Sequence, residues 1–159
     1  MRSPSVAVRQ TQRTRQVSVR AAGPGHQVVT LVTPREREGR GRRRWHRVEP
    51  CGGCPWRVDQ VGSFPAESFR LSARTAYDLS EVAFACHESG SVNPATCAGF
   101  LLRGATHNLA VRLALIRGDV ELDQVSDGGH LLHQSYRAMA MANGVAVDDP
   151  ALVLCRDSS

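Results

Sequence analysis

Four cysteines set the strongest constraint on how this chain can fold. Cys51, Cys54, Cys86 and Cys97 follow the pattern C-x2-C-x31-C-H-x9-C. Four soft ligands hold one tetrahedral metal ion only if they converge within a few ångströms. A site of that kind obliges three segments, distant in sequence, to meet. The first is the turn 51-CGGC-54, where Gly52 and Gly53 permit positive backbone angles and let two side chains converge. The second is 81-EVAFACH-87, whose Val82, Phe84 and Cys86 alternate as on a strand. The third is the start of a long helical pattern, where the helix N-terminus favours a thiolate at Cys97.

This pattern leaves several chemistries open. A closed zinc site of four cysteines uses all four thiols, and a variant with three cysteines and one histidine exchanges one of them for His87. Adjacent strand residues point to opposite faces, so Cys86 rather than His87 is the expected ligand of that pair. An iron–sulfur cluster takes the same four thiolates, and Pro55 directly after Cys54 suits such a site. The Cys51/Cys54 dithiol is a candidate redox pair, although it lacks the strand-then-helix setting of thioredoxin-like enzymes. Buried cysteines also serve as small core hydrophobes with no shared site. The sequence has no run of 18 apolar residues and no signal-like apolar segment. The expectation is therefore a cytoplasmic protein without a membrane span, its thiols kept reduced.

Charge divides the chain. All 20 basic residues are Arg, a bland consequence of GC-rich coding. Residues 1–50 hold 12 Arg against 3 acids, whereas residues 51–159 hold 8 Arg against 12 acids. The net charge of +5 thus belongs to the N-terminal part. Residues 1–48 are expected to be a disordered Arg-rich arm, either a tail for phosphate or acidic partners, a targeting peptide, or an upstream extension of the reading frame. Within it only 27-QVVTLV-32 has strand character, with no obvious partner nearby. Nucleic-acid contact is expected only through this arm, because the remainder has no basic stripe.

Residues 49–145 are expected to form one small α+β domain, helix-rich with a short strand region and built around the cysteine cluster. Residues 146–159 are expected to be an irregular tail. The spacing predicts helices over 64–73, 94–118 and 129–144, and a strand over 81–87. In the long helix, Cys97, Leu101, Ala105, Leu109, Leu113 and Ile116 make one apolar stripe. Asn93-Pro94 is its expected start, and Gly104 inside it is expected to mark a close approach to another backbone. In the last helix Leu132, Tyr136 and Met139 are the expected inward residues.

The combination 51-CGGCPWR-57, 84-FACH-87 and 97-CAGFL-101 resembles an uncharacterised small domain family of high-GC bacteria and their phages. That family shares a C-x-x-C-P-x-R opening, a hydrophobic-x-C-H segment and a C-x-G-hydrophobic helix start. The resemblance covers residues 50–118. It implies a shared cysteine site carried by Cys51, Cys54, Cys86, His87 and Cys97, with Arg57 and Gly99 as accessories, and it implies no reaction.

Other residues are weighed against this site. Arg57 either holds an anion near the cysteines or pairs with an acid such as Asp59. His87 is a candidate ligand or a donor to a ligating thiolate. His130 and His133, three apart on the expected helix, lack a carboxylate to complete a metal site, and His107 lies too far along the helix from Cys97. Cys155 is expected to be a free thiol near a loose end. No G-x-S-x-G, phosphate loop, H-E-x-x-H or dinucleotide fingerprint is present. The expectation is a metal-binding protein, zinc before iron–sulfur, with no assembled catalytic set and an unknown partner.

Overall fold

Strands β1 (Gln16–Gly23) and β2 (His26–Val32) form an antiparallel hairpin in the computed structural model, which describes residues 16–32, 46–91 and 94–156. Gly25 turns the hairpin at φ 74°, a conformation that costs glycine little. Both strands are rich in valine, which favours the pleated conformation. The centre of the sheet is β2. Its other edge takes β3 (Val82–Phe84), through Thr30↔Phe84, Leu31↔Ala83 and Val32↔Val82. Leu31 is 1% exposed and lies in the core, a burial that stabilises by about 2 kcal/mol.

Residues 16–32 therefore correct the expectation of an arm disordered through residue 48. The strand seen in 27–32 has two partners, one across a tight local turn and one far along the chain. The rest of that arm, 1–15 and 33–45, lies outside the described residues.

Helix α1 (Ala66–Ser72) starts after Pro65 and runs into a 3-10 turn at Ala73–Ala76, close to the expected 64–73. It buries Phe69 and Ser72. The Tyr136 hydroxyl donates to the Phe69 carbonyl at 2.6 Å and shares a 2.7 Å hydrogen bond with Ser72 Oγ.

The single helix expected over 94–118 is two helices, α2 (Ala98–Arg103) and α3 (Leu109–Ile116). Asn108 separates them. Its side chain accepts from Val111 N at 3.0 Å, capping α3, while Nδ2 donates to the Thr75 and Val82 carbonyls at 3.1 and 2.8 Å. One fully buried amide thus starts a helix and ties it to a turn and to β3. The break shifts the helical phase, so Ala110, Val111 and Ala114 face the core while Ile116 is 82% exposed. The continuous stripe through Leu109, Leu113 and Ile116 is corrected accordingly. Asn108→Ala is expected to destabilise by about 3 kcal/mol, from a lost cap and two unpaired buried carbonyls. Urea unfolding measures this, and a loss below about 0.5 kcal/mol would show that the amide carries no weight.

The helix expected over 129–144 is confined to α4 (Tyr136–Ala142). Residues 131–133 are extended, because Val58 N donates to Leu131 O, His133 N donates to Trp56 O, and Arg57 bridges Leu132. Ser135 then caps α4 by accepting from Ala138 N at 3.1 Å. Leu132, Tyr136 and Met139 are buried, as expected. Residues 150–156 are not loose: Leu152 is fully buried, and Arg137 Nη2 donates to the carbonyls of Leu152 and Cys155. Among the described residues, four helices and a three-stranded antiparallel sheet make a small α+β domain. Among the described residues no helix is long and apolar enough to cross a membrane.

Candidate metal centre

Backbone hydrogen bonds bring the cysteine-bearing segments together. Past β3 the chain loops out and returns beside itself: Cys86 N donates to Ala95 O at 2.6 Å, Ala85 bridges Thr96, and Cys97 N donates to Phe84 O at 2.9 Å. Cys86 and Cys97 are thereby held at one end of the sheet. Cys97 is the residue immediately before α2 rather than part of its first turn, so a helix start at Asn93-Pro94 is corrected for the described helix, which begins at Ala98; Asn93 itself lies outside the described residues. The 51–54 turn closes with Cys54 N on Cys51 O at 3.1 Å, and Arg57 N on Cys54 O at 3.0 Å continues it. Trp56, fully buried, fixes this turn against α2 and the aromatic rings of Phe84, Phe100 and Tyr136.

Cys54 and Cys97 share a hydrogen bond between their sulfurs, and Cys51 lies near enough to Cys54 and Cys86 for their thiols to shift one another. The Cys54 and Cys97 sulfurs are 3.5 Å apart. Cys54, Cys86 and Cys97 are buried, Cys51 is half-buried, and all are free thiols. Among the described residues no group of three or more His, Cys, Asp or Glu side chains is arranged as a ready metal site.

Their protonation follows from this packing. The hydrogen bond with Cys54 leads the causes that raise the Cys51 thiol above its ordinary value. Contact with Cys51 acts to lower Cys54, but its bond to Cys97 and its burial outweigh that and push it well up. Cys86 is pushed well up by its bond to Cys51 and then by burial. Without a cation, these sulfurs hold their protons at neutral pH.

Donors surround the thiols. Arg47 lies near Cys86, whose charge once that thiol is ionised, with a side-chain interaction beside it, holds the Arg47 guanidinium above its usual value; Cys51 adds to this. The backbone amide of Trp56 acts to lower the Cys54 thiol, and that of Glu88 acts to lower the Cys51 and Cys86 thiols. Sequence reasoning missed Arg47, absorbing it into the Arg-rich run 35–47. Its placement depends on a parallel bridge from His46 to Thr96 and on Arg47 N donating to Thr96 O at 2.9 Å, contacts with no local signature.

Arg57 pairs with Asp59 through Nε at 2.8 Å and Nη2 at 2.5 Å, one of the alternatives weighed for it. Its Nη1 reaches the Cys51 and Gly52 carbonyls at 3.4 and 3.1 Å, which clips the cysteine turn from outside. His87 is exposed. Its ring lies over Gly53, where an added Cβ would come within 3.2 Å, and packs edge-on against Phe64 at 4.8 Å. His130 and His133 are not on a helix; His133 is buried, and its pKa is lowered by that burial. Cys155 is buried away from the cluster, with Sγ 3.6 Å from the Ala73 carbonyl oxygen.

Residues 46–156 match the model of a family described as being of unknown function. No curated protein and no solved structure matches the chain. The match takes in Arg47, the four thiols and all four helices, and it leaves the β1–β2 hairpin outside.

Proposed function

We propose that this chain, which belongs to the family of unknown function DUF6283, is a metal-binding protein holding one structural zinc ion on Cys51, Cys54, Cys86 and Cys97. The observation that carries this is the Cys54–Cys97 contact, which joins the 51–54 turn to the start of α2, with Cys51 and Cys86 near enough to shift each other's thiols. Zinc–thiolate bonds of about 2.3 Å imply tetrahedral sulfur–sulfur edges of about 3.8 Å. The 3.5 Å between Cys54 and Cys97 is near that edge and far beyond a disulfide bond. A [4Fe–4S] cluster sets each cysteine on a separate iron and spreads them wider, so the close Cys54–Cys97 pair disfavours that cluster.

The surroundings suit the charge of such a centre. Four thiolates on a divalent ion leave two negative charges, which Arg47 and the amides of Trp56 and Glu88 offset. Zinc here would supply cross-linking rather than chemistry, and the domain would act through binding rather than catalysis. With the thiols reduced, the reading suits a cytoplasmic setting. Arg57 and His87 shape the loop around the ligands.

Metal analysis and an optical spectrum of protein purified without air test this. The expected result is a colourless protein with one zinc per chain. Zinc uptake by the stripped protein should release protons into a weak buffer, because Cys51, Cys54 and Cys86 start protonated. A brown protein with broad visible absorption would replace zinc with iron–sulfur. Absence of metal, with a reversible Cys51–Cys54 disulfide, would replace it with dithiol redox chemistry.

A further inference from the structure

Two guanidinium groups converge where the β1–β2 hairpin meets the turn after α1. Arg74, in the 3-10 turn Ala73–Ala76, donates from Nη2 to Thr30 Oγ1 on β2 at 2.7 Å. Arg20, on β1, reaches the same place through the sheet register. Ser18 pairs with Thr30 and Arg20 with Val28, so Arg20 shares the face of Thr30 as its diagonal neighbour. Among the described residues neither guanidinium pairs with a carboxylate, whereas Arg57, Arg70 and Arg156 all do. Arg74 Nε is buried and has no hydrogen-bond partner among the described residues. We propose that Arg74, Arg20 and Thr30 form a binding site for the phosphate group of a small phosphate monoester.

The inference is independent of the metal reading, since it uses none of the cysteines. A buried N–H without an acceptor is costly, and two like charges side by side add to the cost. Burial, and then the charge of Arg20, hold the Arg74 guanidinium below its usual value. An anion between the two relieves both costs. The donors also suit a phosphate. Thr30 Oγ1 accepts from Arg74 and so keeps its own hydrogen to give. Arg74 Nε–H and the Arg20 guanidinium supply the others. Two cations match the charge of a phosphate monoester, about −1.5 to −2 at neutral pH, and three kinds of donor match its three free oxygens. A carboxylate brings one charge and two oxygens.

Arg20 is exposed and Arg74 is half-buried, so the pair is open to solvent at one side. Thr30 beneath them is 2% exposed and gives the site a fixed floor. Arg74 lies within the family match, and Arg20 and Thr30 lie outside it. A bound phosphate would therefore tie the hairpin to the domain, and its binding would stabilise the fold in proportion to occupancy.

The test is thermal unfolding of the full chain in titrations of inorganic phosphate, methyl phosphate and acetate, each at constant ionic strength set with chloride. Both phosphates are expected to raise the melting temperature along a saturating curve, and acetate is not. Arg20→Gln should move half-saturation about tenfold higher, the worth of one charge-assisted hydrogen bond. Arg74→Gln should abolish the saturating part. Should Arg74→Gln fail to fold, Arg20→Gln, at an exposed position, still decides the matter. In phosphate-free buffer Arg20→Gln should melt no lower than the parent, because it removes a repulsion; a clear drop would make Arg20 a structural residue and overturn the site. A rise that is linear in phosphate and unchanged in Arg20→Gln is a general salt effect and overturns it too. Saturation by acetate as readily as by phosphate overturns the phosphate assignment.

Discussion

Replacing Cys97 with serine is expected to remove bound zinc and cooperative unfolding together. In the proposed site Cys97 would tie α2 to the 51–54 turn, since its sulfur is the one in contact with Cys54. In a domain of this size, the binding free energy of a structural zinc, about 10–16 kcal/mol in small zinc peptides, is comparable to or larger than a typical folding stability of about 5–15 kcal/mol. Serine keeps the shape but is a poor ligand. Were Cys97 only a core thiol, the same substitution would cost about 1–3 kcal/mol for a buried hydroxyl, and unfolding would stay cooperative. Metal content and thermal unfolding of the same sample separate the two. A variant that keeps its zinc and melts like the parent removes Cys97 from the ligand set.

Gly99→Ala is expected to destabilise, against the usual direction for a helix. Alanine has the higher helix propensity by about 1 kcal/mol. Here, however, an added Cβ would sit 2.5 Å from Trp56 Cβ and 2.8 Å from its Cγ. Trp56 is fully buried and packed edge-on or tilted against Phe84, Phe100 and Tyr136 at 5.9–6.3 Å, so it has nowhere to retreat. Overpacking of this kind costs about 1–3 kcal/mol or more, and a net loss of about 2 kcal/mol is the expected outcome. Gly104 faces the other end of the same ring, where its added Cβ would overlap Trp56 Cη2. Trp56→Phe should therefore offset part of the cost of Gly104→Ala, because it removes the outer ring. It should not rescue Gly99→Ala, because phenylalanine keeps Cβ and Cγ. Trp56 Nε1 has no hydrogen-bond partner among the described residues, so this change removes volume without breaking a bond. Double-mutant cycles read the difference, and equal coupling at both glycines would refute the packing assigned to Trp56.

Much of the site was legible because its signals are local. Gly52-Gly53 between two cysteines announced a turn, and Phe84 and Cys86 announced a strand end. The close approach expected at Gly104 is present, but its partner is the Trp56 ring rather than a backbone. Arg47 was hidden because a charge run gives no clue that one member leaves it to meet a sulfur. The helix over 94–118 was too long because periodicity cannot show a buried amide in the next segment. Asn108 ends that continuity by bonding to Thr75 and Val82, residues set beside it only by folding. The same holds for 129–135, where pairing with Trp56, Arg57 and Val58 overrides helical spacing.

The sequence by itself determined the α+β class, the position of α1 and the short strand before Cys86. These rest on residue type and near-neighbour spacing, which act before the chain is compact. Tertiary structure alone decided that 27–32 is a central strand, that α2 and α3 are separate, and that Cys54 and Cys97 touch. Hydrogen-bond partners and burial are properties of pairs of segments, and no single segment carries them.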